Sequence, residues 1–167
     1  MLMSTRAAVL RRLGAAFYDL LVVAALWMLV YFSLVAAGAV SGTLADNRDP
    51  RHWLLRAGIA FLYFAWSWTR SGRTLGLLTW SLQVERHDGG LATLGDAAAR
   101  FASACGYLLP LFALELGYRM AVPPTLFYGA LLAPFLLGLA WAIRDPQGRA
   151  LHELPLATRV VMRTTSA

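Results

Sequence analysis

Residues 13–37 form an apolar run long enough to cross a lipid bilayer, and a carboxylate lies inside it. A helix rising about 1.5 Å per residue spans the hydrocarbon with about 20 apolar residues. Leu13 to Ala37 supplies 25 positions, with Asp19 as the one charge among them. Arg12 precedes Asp19 by seven residues, two helical turns, so both project from one face about 10 Å apart along the axis. An unpartnered charge at that depth costs on the order of 3 kcal/mol or more. The remainder of the chain must therefore offer this face a cation, a donor or water.

Composition agrees with a membrane location. Apolar residues make up 59% of the chain and charged residues 14%, and the mean hydropathy is +0.57. The net charge of +6 comes from cations at the ends of apolar runs rather than from a basic block, which argues for topology signals and against nucleic acid. Cys105 is the single cysteine, in an apolar helix, and its expected role is small-residue packing. The first run exceeds the length of a signal-peptide core and contains Asp19, so it reads as a retained span.

Further along, residues 41–51 carry the Asn, Asp, Gly and Pro content of a loop. A second apolar run covers residues 53–69, with Arg56 near its end and Trp53, Trp66 and Trp68 placed for an interfacial belt. From Arg70 to Asp96 the chain is too polar for lipid. The alternation of polar Thr79, Ser81, Gln83 and Glu85 with apolar Trp80, Leu82 and Val84 predicts a half-buried strand. The segment from His87 to Gly90 reads as a turn and Leu91 to Leu94 as a return strand, giving a hairpin at about 77–94. Thr93 followed by Asp96 predicts a capping box opening a third span at about 97–118, with Ala98, Ala102 and Gly106 as a small-residue stripe. Residues 125–143 form the fourth span, and a polar tail occupies 144–167. Within the tail, 157–163 has strand composition suited to pairing with the segment 79–86. Placing both termini and the middle segment on one side puts eleven of the fifteen arginines there, which makes that side cytoplasmic.

Enzymatic motifs fail on inspection. His152-Glu153 begins like a zinc-protease motif, but Leu156 stands where its second histidine belongs and Pro155 breaks the helix. The glycines at 72 and 76 are too close for a phosphate loop and lack a lysine, and suit a tight turn instead. No nucleophile has a histidine and acid at recognisable spacing, so neither an enzyme nor a metal or cofactor site is expected. The candidate ion or proton site residues are Asp19, Arg12, Arg100, Glu153 and Glu115. On one reading Asp19 makes a single structural pair that fixes helix register. On the other, an arginine shuttles between Asp19 and Glu153, freeing Asp19 for a proton or small cation. Glu115 has Arg119 at i,i+4 and reads chiefly as an interfacial pair. His52 and His87 are expected in solvated loops.

Four pieces in order resemble the RDD family of bacterial membrane proteins, named for an arginine and two aspartates. They are RRLGAAFYDLL, SGRTLGLLTWSLQVERHDGG, Arg100 opening a helix, and ALHELPLATRVV. By that resemblance Arg12 is the eponymous arginine and Asp19 the first aspartate. The second aspartate falls at Glu153, a departure that lengthens the side chain by one carbon. What the resemblance implies is transport, with cation/proton antiport proposed for some members.

The resulting expectation is an all-α membrane protein with four transmembrane helices and a small cytoplasmic β-hairpin, multi-pass in the inner membrane, with both termini cytoplasmic. The favoured activity is small-cation/proton antiport through Asp19, with Arg12 and Arg100 as competing counter-charges and Glu153 as a gate. The alternative is a non-transporting assembly or interaction module whose charged cluster is structural. Expected partners are the bilayer, a second copy or another membrane protein, and a monovalent cation or proton.

Overall fold

The computed structural model describes residues 5–39, 50–119, 124–145, 151–154 and 156–162; of residues 5–8, 50, 107–119, 124–128, 130–132, 134, 135 and 152 it describes the backbone alone. The elements in chain order are α1 (Thr5–Ala36), α2 (Pro50–Arg70), α3 (Leu75–Thr79), β1 (Leu82–Arg86), α4 (Leu94–Arg119), α5 (Pro124–Arg144), a single 3-10 turn (Leu151–Glu153) and β2 (Thr158–Met162). Both Pro50 and Pro124 stand at the first position of a helix, where the missing N–H costs nothing.

Among the described residues, the stretch Val9–Ala36 of α1 is long and apolar enough to cross a membrane. Only 11% of its apolar window is buried within the chain, whereas the core helix of a soluble protein would be largely covered. Leu20, Leu21, Leu29 and Phe32 are all exposed, as lipid-facing side chains are. The crossings expected in the third and fourth runs depend on residues 107–128 and 130–135, where most side chains lie outside the described residues.

The middle of the chain departs from the expected hairpin. Thr79 ends a short helix instead of opening a strand, because the Thr74 hydroxyl caps residues 75–79 by accepting from the Leu77 amide at 3.2 Å. The turn at residues 86–90 forms, with the Gly89 amide donating to Arg86 O at 2.9 Å. Its return strand does not. The Thr93 amide and hydroxyl donate to Asp96 Oδ2 at 2.9 and 2.8 Å, and the Asp96 amide donates back to the Thr93 hydroxyl at 3.2 Å. This capping box starts α4 at Leu94 and leaves residues 91–93 as a connection. The Thr93 backbone and hydroxyl bonds also hold the Asp96 carboxyl below the usual carboxylate range.

The partner of β1 is β2 from the tail, antiparallel, with Val84 opposite Val160 and Glu85 opposite Arg159. The last pair is bridged at 2.8 Å. On its other edge β1 receives the chain at Gly72, whose carbonyl accepts from the Val84 amide at 2.7 Å. Gly72 has a φ of +70°, and a β-carbon there would lie 2.7 Å from Val84 O. Val84 and Leu82 point into a core shared with Ala15 of α1, Trp68 of α2 and Ala97 of α4. The small sheet therefore seals one end of the helices.

At their far ends α1 and α2 are joined by aromatic contacts. His52 lies in the first turn of α2, not in a loop, and shares a hydrogen bond with the buried Tyr31 hydroxyl, the rings 5.5 Å apart. The Arg56 guanidinium stacks over Trp27 at 4.1 Å. Along α4, Ala98, Ala102 and Gly106 are exposed, so the small-residue stripe faces away from the described helices.

Candidate functional site

Three carboxylates are buried among the described residues, Asp19 and Glu153, each 5% exposed, and Asp145 at the end of α5, 6% exposed; the first two build the site. Asp19 faces the start of α3. A helix leaves its first amides without intrahelical partners, and here each finds an oxygen. Leu75 donates to the Tyr63 hydroxyl at 3.1 Å, Gly76 to Asp19 Oδ1 at 2.9 Å, and Leu77 to Thr74 Oγ1 at 3.2 Å. The two hydroxyls in turn donate hydrogen bonds to the carboxylate. Tyr63 Oη donates to Oδ1 at 2.8 Å and Thr74 Oγ1 donates to Oδ2 at 2.5 Å. Asp19 thus accepts three hydrogen bonds, from α2, from the cap of α3 and from the α3 backbone.

Gly76 makes this approach feasible. A β-carbon at that position would stand 2.1 Å from the Ala15 carbonyl oxygen and 2.8 Å from Asp19 Cγ. One turn earlier on α1, Gly14 lets Trp80 lie against the helix, and a β-carbon there would meet the indole at 2.5 Å. Two glycines on two elements allow α3 to lie directly on α1.

Glu153 draws in both arginines. Arg12 Nη1 meets Oε2 at 2.7 Å, and Arg100 Nη2 donates to Oε1. Each guanidinium then reaches β2: Arg12 Nη2 donates to Val160 O at 3.0 Å, and Arg100 Nη1 to Thr158 Oγ1 at 3.3 Å. The Arg100 guanidinium also lies 5.5 Å from the Trp68 ring centre. Planar forks suit this task, since one edge binds the carboxylate while the other donates elsewhere. One glutamate in the 3-10 turn consequently joins α1, α4 and the tail strand.

Of the five candidate residues, Arg12, Arg100 and Glu153 come together. The expected pairing of Asp19 with Arg12 or Arg100 does not form, because both guanidinium groups are turned to Glu153 and β2, and α3 fills the space beside Asp19. Glu115 lies fifteen residues beyond Arg100 on α4, about 22 Å along the axis, and its side chain is outside the described residues. Sequence reasoning missed Tyr63, Thr74 and Gly76 as partners of Asp19. Thr74 carried a signal, as a threonine immediately before an apolar stretch, and Tyr63 carried none.

The RDD family model matches residues 6–155, nearly the whole chain and every residue of both clusters except the strand β2. The chain belongs to the RDD family. No curated protein and no solved structure matches it. Membership identifies the chain as membrane-associated, in keeping with α1.

Two measurements on this RDD protein test the geometry. Gly76→Ala, read by thermal unfolding in detergent, should destabilise by about 3 kcal/mol or more, since the methyl meets backbone rather than a movable side chain. Arg100→Gln should cost roughly 1.5–3 kcal/mol by taking the charged donor from Glu153 Oε1 while Arg12 keeps Oε2, and the loss should shrink when combined with Glu153→Gln. Additive losses from the two changes would contradict the pairing.

Proposed function

We propose that the chain is a four-span protein of the bacterial inner membrane, with α1, α2, α4 and α5 crossing and both termini cytoplasmic, and that it acts as an assembly or interaction module. The distribution of arginines supports that orientation. The observation that carries the functional reading is how fully the Asp19 and Glu153 carboxylates are engaged. A carboxylate has about four lone-pair positions, and donors fill three at Asp19, one of them a backbone amide that cannot swing away. Glu153 is clamped by two guanidinium groups. Charges so engaged lock elements together. They present a two-stranded sheet whose partner is a second copy or another membrane protein, and binding rather than catalysis is the activity.

One observation favours a second reading, small-cation/proton antiport. With both arginines on Glu153, Asp19 is a buried carboxylate contacted by two hydroxyl oxygens and no guanidinium, which is the state in which it would accept a proton or monovalent cation. Proton flux in proteoliposomes under sodium, lithium and potassium gradients separates the two. The module reading predicts no flux from wild type or from Asp19→Asn, with the mutation lowering stability alone. Ion-dependent flux in wild type that vanishes in a folded Asp19→Asn protein would overturn it in favour of antiport.

A further inference from the structure

Beside the α2–α3 junction lies an open pocket of about 400 Å³, on the side of α3 away from Asp19. Arg70, the last residue of α2, and Arg73 both line it, together with Trp66, Leu75 and Leu78. Among the described residues no carboxylate pairs with either arginine; the one described contact of the Arg70 guanidinium is the face of Trp66, 4.6 Å from the ring centre. The hydroxyls nearby have committed their protons. Ser67 donates to Tyr63 O, Ser71 to Ser67 O or Arg73 O, and Thr74 to Asp19. The donors left for a ligand are therefore the two guanidinium groups, which select an anion with several oxygens.

The apolar surroundings specify the rest of the ligand. Leu62, Trp66 and Arg70 follow one another at four-residue spacing, so they form one stripe on the outer face of α2. Leu62 and Trp66 are 68% and 65% exposed, and Leu75 and Leu78 beside them are 56% and 54% exposed. Two cations therefore stand at the head of an uncovered apolar track, in a chain of a membrane-associated family. A free phosphate would satisfy the arginines but leave the track bare. A phospholipid covers both.

We propose that this pocket is a binding site for an anionic phospholipid, with the phosphodiester between Arg70 and Arg73 and the acyl chains along Leu62, Trp66, Leu75 and Leu78. The site does not depend on whether Asp19 conducts ions, so its test and the flux experiment fail separately.

Native mass spectrometry of the full chain in detergent, titrated with phosphatidylglycerol, phosphatidylcholine or inorganic phosphate, reads the site directly. Wild type should retain phosphatidylglycerol over phosphatidylcholine. Each arginine near a charged headgroup contributes roughly fivefold, so Arg70→Gln/Arg73→Gln should weaken retention roughly thirtyfold. Arg144→Gln, which removes an exposed cation from the last turn of α5, should leave it unchanged. Millimolar inorganic phosphate should not displace the lipid. A phosphatidylglycerol carrying a diazirine in its acyl chain should label peptides within residues 62–78 of the wild-type protein, a readout that needs no variant to fold. Equal retention of the two lipids, equal loss in Arg144→Gln, displacement by inorganic phosphate, or labelling confined to other helices would each overturn the proposal.

Discussion

A carboxylate inside an apolar helix cannot be left to itself, and the arrangement of this protein follows from how that charge is satisfied. Asp19 is surrounded by three donors from neutral groups rather than by a cation. Each hydrogen bond to a charged group contributes about 1.5–3 kcal/mol, and leaving such a group without partners costs more. The segment supplying the donors therefore has little freedom. Thr74 must cap, Gly76 must bring its amide within 2.9 Å, and Tyr63 must relay between the Leu75 amide and the carboxylate. A five-residue helix has almost no stability alone. Here it is held because its unpaired amides and the buried charge answer each other's needs.

The second carboxylate solves a different problem by different means. Glu153 lies in the tail, far from α1 and α4 in sequence, and joins them where the tail lies back against β1. Its two arginines are anchored in α1 and α4 and aim their remaining donors at β2, so strand pairing and the ion cluster reinforce each other. Clusters of this kind add specificity of arrangement more than net stability, since desolvation of three charges offsets much of their attraction. Glu153 reaches both guanidinium groups at once, one with each carboxylate oxygen.

Much of this was legible in the sequence, for identifiable reasons. Apolar runs gave the long helices because length and hydropathy are local properties, and Thr93 with Asp96 gave the start of α4 because a capping box needs only three residues of spacing. The pairing of the tail with the middle segment was also readable from strand composition. What failed was whatever depended on tertiary choice. The two-residue alternation around Thr79 looked like a strand, but Thr74 committed that stretch to a helix. Leu91 to Leu94 looked like a return strand, but the capping box claimed its end. The arginines were correctly placed at the same end as both carboxylates, yet charge alone could not say that both would go to Glu153. A hydroxyl relay through Tyr63 leaves no periodic or compositional trace.

The central claim is that each carboxylate locks a different segment to the helices, and site-resolved amide hydrogen exchange on the detergent-solubilised protein tests it most directly. In Asp19→Asn, exchange should accelerate at the amides of Leu75, Gly76 and Leu77 while β2 keeps its protection. In Glu153→Gln, the acceleration should appear in Thr158–Met162 and leave the start of α3 protected. Unchanged exchange in both variants, or the same uniform acceleration in each, would contradict two separate locks and leave the buried carboxylates without the role assigned to them.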